Sequence, residues 1–436
     1  MSVLYRFTWG VVRLLSPLLS IGSSKLARGL AGRRRAHEIL SLWGRTLRDP
    51  ARPVVWFHAP SVGEGFQARA TIRELRVLRP DVQVVYTFFS PSAERIVQDM
   101  GADIATYLPW DLSGPVGCVL DVVRPNAVVF TKTEIWPTLV KEAARRKIPV
   151  AMIGASVTRG ARRMGSLARI LMEPSWKVLS LACANSKEDA AALRSLGVRA
   201  DSVRITGDPG VDSAVYRVQG LDRRRSWHAL LRADTRLTVV AGSTWVSDED
   251  VLLPALVATL RTVKDIRLII APHQPSQMAV ARLIERLDKD GWRTTTLADL
   301  EDASADEGPG VIPGPNAIVV ERPGELAHLY GLASVSFVGG GFHSPGLHSV
   351  LEPAVAESAV VFGPRHHKAR AAFDLIDDGG AKAVRNVEEL VGVITAWLTD
   401  EASRRAAEAA AAKYIHRNRG AALRSAALIE PLLRIK

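Results

Sequence analysis

Two glutamates in the first half of the chain stand where a carboxylate can move a proton. The apolar run Val54-Val55-Trp56-Phe57 empties into His58-Ala59-Pro60-Ser61-Val62-Gly63-Glu64-Gly65, and residues 66–78 then follow a helical pattern with Ile72, Leu75 and Leu78 on one face. Glu64 therefore sits where a strand ends and a helix begins, the edge at which open α/β sheets hold their ligands. A carboxylate held there between two glycines can serve as a general base, or it can simply complement the helix dipole. Glu134 repeats the placement: Ala127-Val128-Val129-Phe130 leads into Thr131-Lys132-Thr133-Glu134-Ile135-Trp136-Pro137 and a helix to Arg146. Spacing alone leaves catalysis and packing equally open for Glu134 and its neighbours Trp136-Pro137.

The second half offers binding chemistry. Residues 333–338 form an apolar run that empties into Gly339-Gly340-Gly341-Phe342-His343-Ser344-Pro345-Gly346-Leu347-His348, and a helix starts near Ser349 with Glu352 in its first turn. Glycine N–H groups and a helix N-terminus together favour a phosphate, and an acid such as Glu352 can accept from a ribose. A tight turn in an ordinary α/β domain would use the same residues. His273, which follows Pro272 at the end of the run 267–271, is either a ligand contact or a surface histidine. His366-His367 beside Lys368 and Arg370 reads as a solvated or phosphate-facing patch. No His, Cys, Asp or Glu set has ligand spacing, so no metal is expected.

These positions require a frame of parallel strands. Strand-type runs at 82–87, 148–153 and 178–184, and after the midpoint at 237–241, 317–320 and 360–362, alternate with helical stretches, one of them 93–100 with Ser92 as its N-cap. That alternation gives α/β, doubly wound sheets. With 436 residues, two such domains are expected, 36–215 and 216–436, facing across a cleft and preceded by a distinct segment, 1–35. Residues 216–236, with Arg223-Arg224-Arg225, read as the connection, and 301–316 as an acidic, Gly- and Pro-rich surface loop.

The net charge of +12 is unevenly placed, because Arg6, Arg13, Lys25, Arg28, Arg33, Arg34 and Arg35 all precede the first acid, Glu38. A nucleic-acid partner would need that charge along the folded domains. Interleaved with the cations are Leu4, Tyr5, Phe7, Trp9, Val11, Val12, Leu14, Leu15, Leu18, Leu19 and Ile21, so the segment suits an anionic membrane surface. Arg13 and Pro17 interrupt the roughly 20 apolar residues that a span needs, which favours a shallow anchor. A secretory leader competes, but the broken apolar run and the lack of a cysteine framework stand against it. Cys118 and Cys183, both in apolar surroundings, read as reduced core thiols.

Taken together, Ser61-Val62-Gly63-Glu64 after a Trp-x-His strand, Thr133-Glu134-Ile135-Trp136-Pro137, Gly242-Ser243-Thr244, Gly324-Glu325-Leu326 with Leu329-Tyr330, and His348-x-x-Leu351-Glu352-Pro353-Ala354 resemble the 3-deoxy-D-manno-octulosonic acid (Kdo) transferases of lipopolysaccharide synthesis. The motifs fall in the family's order between residues 4 and 382. The resemblance implies a GT-B fold with a membrane-attached N-terminus, and an inverting transfer of Kdo from CMP-Kdo to the lipid A precursor lipid IVA at the cytoplasmic face of the inner membrane. It implies Glu64 as the base, Glu134 as support for the transition state, and CMP against Pro272, His273, Pro323, Gly324, Glu325, Ser349, Val350, Leu351 and Glu352. Neither a cofactor nor a metal is implied beyond the donor substrate. The chain departs from the family pattern at Ser349, where Asn is usual, at Gly346-Leu347 for a glycine pair, at Pro272-His273 for Pro-Arg-His, and at Gly210, where the family carries a basic residue. A GT-B glycosyltransferase using another nucleotide sugar and a non-enzymatic, membrane-associated nucleotide binder are the competing readings.

Overall fold

The computed structural model describes residues 3–20, 22, 24–157, 166–220, 226–306 and 316–434, which divide into two compact units. Unit one comprises Met1–Ser213 with Asn418–Lys436, and unit two Ala214–Arg417.

In unit one the strands are β1 (Val54–His58), β2 (Gln83–Phe88), β3 (Ile104–Tyr107), β4 (Ala127–Thr131), β5 (Val150–Ala155), β6 (Leu181–Ala184) and β7 (Val203–Ile205). They pair in parallel in the order β3-β2-β1-β4-β5-β6-β7. Every residue of β1, β2, β4 and β5 is buried, which is why these strands read as continuous apolar runs and not as alternating ones. The chain winds outward from β1 to β3 and then outward the other way from β4, so the order reverses between β1 and β4. The loops after those two strands carry Glu64 and Glu134.

Helices frame this sheet, among them α1 (Val3–Leu19), α2 (Lys25–Thr46), α3 (Val62–Leu78), α4 (Ser113–Val123) and α5 (Pro137–Arg145). Ser24 caps α2 by accepting from Ala27 N at 3.1 Å. The last helix of the chain, Ala421–Ile429, also belongs here, and Ala426 and Ile429 share a core with Ile72 and Leu75 of α3. Asp212 fastens it, accepting from Gly420 N at 2.6 Å and Ala422 N at 2.8 Å.

Unit two repeats the plan with β8 (Leu237–Thr244), β9 (Ile266–Pro272), β10 (Thr294–Thr296), β11 (Ala317–Val319), β12 (Val335–Val338), β13 (Ala359–Phe362) and β14 (Ala381–Ala383). Their order is β10-β11-β9-β8-β12-β13-β14, all parallel, with the reversal between β8 and β12. The loops at that reversal hold Ser243-Thr244-Trp245 and the glycine run after Val338.

Several local expectations are corrected. Residues 91–96 form a 3₁₀ turn, Pro91–Ile96, whose N-cap is Ser90 and not Ser92. Much of 216–236 is helical, in Pro209–Gln219 and Ser226–Ala233, and Trp227 is fully buried, so the cations had masked an apolar face. Residues 221–225, with the three arginines, lie outside the described residues. The helix Leu297–Asp306 takes up the start of the expected loop 301–316, of which 307–315 lie outside the described residues. Cys183 is buried as expected, but Cys118 is exposed on α4.

The N-terminal segment also differs from a uniform basic surface. Arg33 is buried, its guanidinium 3.7 Å from the Phe89 ring centroid and near Trp9, Trp110 and Trp136. Tyr5 OH donates to Asp111 Oδ2 at 2.7 Å, and Trp9 packs on Trp110 and Trp136, which seats one face of α1 on the sheet domain. Phe7, Val11, Leu14, Leu15 and Leu19 remain exposed on α1. No described helix is long and apolar enough to cross a membrane.

Candidate active site

Glu64 lies in the first turn of α3, behind the N-cap Ser61. Ser61 Oγ donates to Glu64 Oε2, and Lys132 Nζ lies 3.1 Å from Oε1, so both carboxylate oxygens are already held. Lys132 comes from the loop after β4, with its backbone N–H bonded to Ile153 O at 2.8 Å and a left-handed φ of +57°. One turn along α3, Gln67 Nε2 donates to Asp208 Oδ1 at 2.8 Å, and Gly210 N donates to the same oxygen at 2.7 Å. Burial raises the pKa of Asp208, and the nearby Lys132 charge opposes that rise. A Cβ at Gly210 would meet Asp208 Oδ1 at 2.9 Å, so the position where the related pattern has a basic side chain is closed by this hydrogen bond.

Glu134 is half-buried on the same loop as Lys132, and its charge acts on buried Arg33. Burial lowers the pKa of Arg33 to about 10, which leaves it protonated at neutral pH. Trp136 is buried and anchors the loop, its Nε1 donating to His58 Nε2 at 3.0 Å. Asp111 accepts from Thr138 N at 3.0 Å and Leu139 N at 2.9 Å, completing the first turn of α5 behind this motif. The two motifs thus meet at the reversal between β1 and β4, where Lys132 touches Glu64.

In unit two the glycine loop, for which the sequence left a phosphate cradle and a tight turn open, has two of its N–H groups taken by the chain itself. Asp248 accepts from Gly340 N at 2.7 Å, Phe342 N at 3.0 Å and Trp245 N at 2.9 Å. The chain supplies its own anion to those N–H groups. The glycines serve close packing instead: a Cβ on Gly339 would lie 2.2 Å from Ser243 O, and one on Gly341 2.4 Å from Gly363 N. The helix after the loop is short, Leu351–Val355, and begins two residues beyond Ser349.

Around that loop four rings assemble. Trp245 stacks on His343 with centroids 4.2 Å apart and packs on His273 at 4.7 Å, and His273 stacks on His348 at 4.3 Å. Trp245 Nε1 donates to His348 Nε2 at 3.1 Å. Burial, then the neighbouring His273 and His343, lower the pKa of His348 to about 4, so it is neutral at pH 7. Pro272 is buried and His273 exposed, which makes His273 a surface member of the stack. Pro323 and Gly324 are exposed, with Gly324 at φ +99°, while Glu325 is buried and accepts from Arg322 Nε at 3.0 Å. Ser349 is exposed and Val350 buried, and Leu351 is half-buried. Glu352 is paired with Arg217, Nε to Oε1 at 2.8 Å. A Cβ on Gly242 would meet Tyr330 OH at 2.0 Å, so the Gly242-Ser243-Thr244 strand end exists to let Tyr330 lie across it. Among the described residues no group of three or more His, Cys, Asp and Glu side chains is arranged to hold a metal.

Residues 34–213 match the family model described as 3-deoxy-D-manno-octulosonic-acid transferase (kdotransferase). Across the whole chain, the 3-deoxy-D-manno-octulosonic acid transferase of Haemophilus influenzae is 26% identical over 406 residues, covering 92% of each protein. That of Aquifex aeolicus is 24% identical, covering 79% of this chain and 86% of its own. Residues 34–213 thus carry a Kdo transferase domain, and the similarity to the Kdo transferases runs over most of the chain. Among solved structures, a glycosyltransferase from Rickettsia africae superposes with a TM-score of 0.58 at 10% identity, covering 88% of this chain and all of that one. A putative UDP-N-acetylglucosamine 2-epimerase from Listeria monocytogenes gives 0.60 at 12% identity, over 87% of this chain and 95% of that one. These likenesses bear on the GT-B fold alone. Within the Kdo transferase pattern, sequence reasoning missed Lys132, Asp208, Arg217, Trp245 and Asp248. Asp248 left one signal, an acid three residues past the N-cap. The others act through partners far away in sequence.

Proposed function

We propose that this chain, similar to the Kdo transferases over most of its length, takes Kdo from CMP-Kdo and joins it to lipid IVA with inversion. Glu64 takes the proton of the acceptor hydroxyl as that oxygen bonds to the sugar, and the sugar–phosphate C–O bond breaks with its electron pair leaving on CMP. Glu134 supports the transition state from the loop after β4. Unit two holds the nucleotide through the His273 and His348 stack, Pro272, the Pro323-Gly324-Glu325 turn and Ser349-Val350-Leu351-Glu352, with Glu352 turning from Arg217 to the ribose. The observation that carries this reading is that Glu64 and the Glu134 motif lie on the two loops that flank the strand reversal, where α/β sheets hold substrates.

The exposed apolar face of α1 favours attachment at the cytoplasmic face of the inner membrane, against an anionic leaflet that also presents the lipid acceptor. The test is incubation of the purified protein with CMP-Kdo and lipid IVA, with CMP release and the mass of the lipid followed together. Glu64→Gln should lose about 100- to 10,000-fold in kcat, the usual worth of a general base, while still binding CMP. Undiminished turnover by that variant would remove Glu64 from the role.

A further inference from the structure

Lys132 is singled out by three observations that its motif does not explain. Its Nζ lies 3.1 Å from Glu64 Oε1, although Glu64 stands in α3 and Lys132 in the loop after β4. Its backbone is left-handed, a conformation that a lysine enters only with strain and a glycine enters freely. Its side chain is 43% exposed, so the ammonium is not a sealed core charge but one that a substrate group could reach. A half-exposed ion pair adds little to stability, so such a pair gives weak reason to keep a strained backbone. Strain of this kind points to function.

We propose that Lys132 is a positioning residue for Glu64. Ser61 holds Oε2 and Lys132 holds Oε1, which fixes the plane of the carboxylate at both ends. An ionised carboxylate has about four acceptor directions, so each oxygen keeps one to present to the acceptor hydroxyl. The strained backbone aims the ammonium, and Ile153 O pins the turn that carries it. Asp208, tied to Gln67 one turn along α3, lies close enough for the Lys132 charge to act on it. This inference rests on the reading of Glu64 as base given above.

Lys132→Gly, Lys132→Ala and Lys132→Arg are to be compared in the full chain with CMP-Kdo and lipid IVA, together with their thermal midpoints. Lys132→Ala should lose on the order of 100-fold in kcat, the scale of a base displaced by about 1 Å, with KM for CMP-Kdo unchanged. Lys132→Arg should recover most of the loss. Lys132→Gly should match Lys132→Ala in kcat while melting no lower than the wild type, because glycine relieves the left-handed strain. In a Glu64→Gln background, Lys132→Ala should cost almost nothing more, as it acts through Glu64. Wild-type turnover by Lys132→Gly, or losses that multiply with those of Glu64→Gln, would overturn the assignment alone. A wild-type protein that transfers no Kdo would remove the reading of Glu64, and this inference with it.

Discussion

The indole N–H of Trp136 donates to Nε2 of His58, 3.0 Å away, and the other ring nitrogen, Nδ1, lies 3.0 Å from Thr87 Oγ1. An indole can only donate, so neutral His58 carries its proton on Nδ1 and gives it to Thr87, which also accepts from Trp56 Nε1 at 2.8 Å. A Trp beside the candidate glutamate is therefore a fastening between the ends of β1 and β4. Trp136→Phe leaves a buried acceptor unsatisfied and should cost about 1–3 kcal/mol in urea unfolding.

The same histidine sets an acid limit. Burial, then the charge of Arg33, lower the pKa of His58 from the usual 6.5 to about 3. Below pH 6.5 the unfolded chain takes up a proton that the folded chain refuses until about pH 3. Stability must then fall as pH drops through that window. His348, lowered to about 4, adds in the same direction. Unfolding free energy should be level from pH 7 to 8 and decline from pH 6.5 toward 4. His58→Gln, which keeps an acceptor for Trp136 and a donor for Thr87, should show a shallower decline. An unchanged slope would show that His58 is not the titrating group.

In unit two Trp245 sets the tautomer of His348 in the same way, which leaves its proton on Nδ1. Trp245→Phe retains a ring against His343 and His273 but loses the N–H. CMP affinity, measured by calorimetry, should fall about tenfold, the worth of one hydrogen bond. It should also fall in the wild type as pH drops through about 4, where protonated His348 no longer accepts from the indole. CMP affinity indifferent to Trp245→Phe would place the nucleotide elsewhere.

The strands that line both reversals were legible because β1, β4 and β12 are buried throughout and β8 over most of its length, and so spell out apolar runs that give way to polar residues, glycine or proline. The edge strands were not. Thr294–Thr296 carries no apolar run, and Val203–Ile205 is mostly exposed. The helix bearing Trp227 was hidden by the arginines that precede it. At the site, types and spacing brought out Glu64 and Glu134 but not Lys132, whose partner is fixed by sheet order and not by local spacing. Gly210 is closed to a longer side chain by Asp208, whose Oδ1 a Cβ there would meet at 2.9 Å. For the glycine loop the sequence left a phosphate cradle and a tight turn open, because Asp248, distant in sequence, is what takes the Gly340 and Phe342 N–H groups.

Arg33 tests how the N-terminal helices are tied to the site. Its Nη1 and Nη2 are buried with no hydrogen-bond partner among the described residues, and four aromatic rings with the charges of Asp111 and Glu134 surround it. Cation–π contact in a dry setting is worth about 2 kcal/mol, so Arg33→Met should lower stability by about that amount. It should also lower kcat, because Glu134 loses a neighbouring cation. A variant as stable and as active as the wild type would leave the aromatic cage as packing alone.

The membrane reading turns on the outward face of α1. Phe7 and Leu14 are 67% and 79% exposed, while Trp9 and Tyr5 on the opposite face hold the helix to unit one. Deleting the helix would uncover Trp110 and Trp136, so point changes on the outer face are the cleaner probe. Each leucine moved from water into a lipid interface contributes about 1.5–3 kcal/mol at full burial. Leu14→Glu with Leu15→Glu adds charge repulsion from an anionic leaflet. Binding to vesicles containing phosphatidylglycerol, followed by co-sedimentation, should drop by at least about tenfold. Turnover of a short-chain, detergent-dispersed acceptor should stay as it was, since both leucine side chains are exposed on α1. Equal vesicle binding by the double variant would mean that the exposed face of α1 does not carry the attachment.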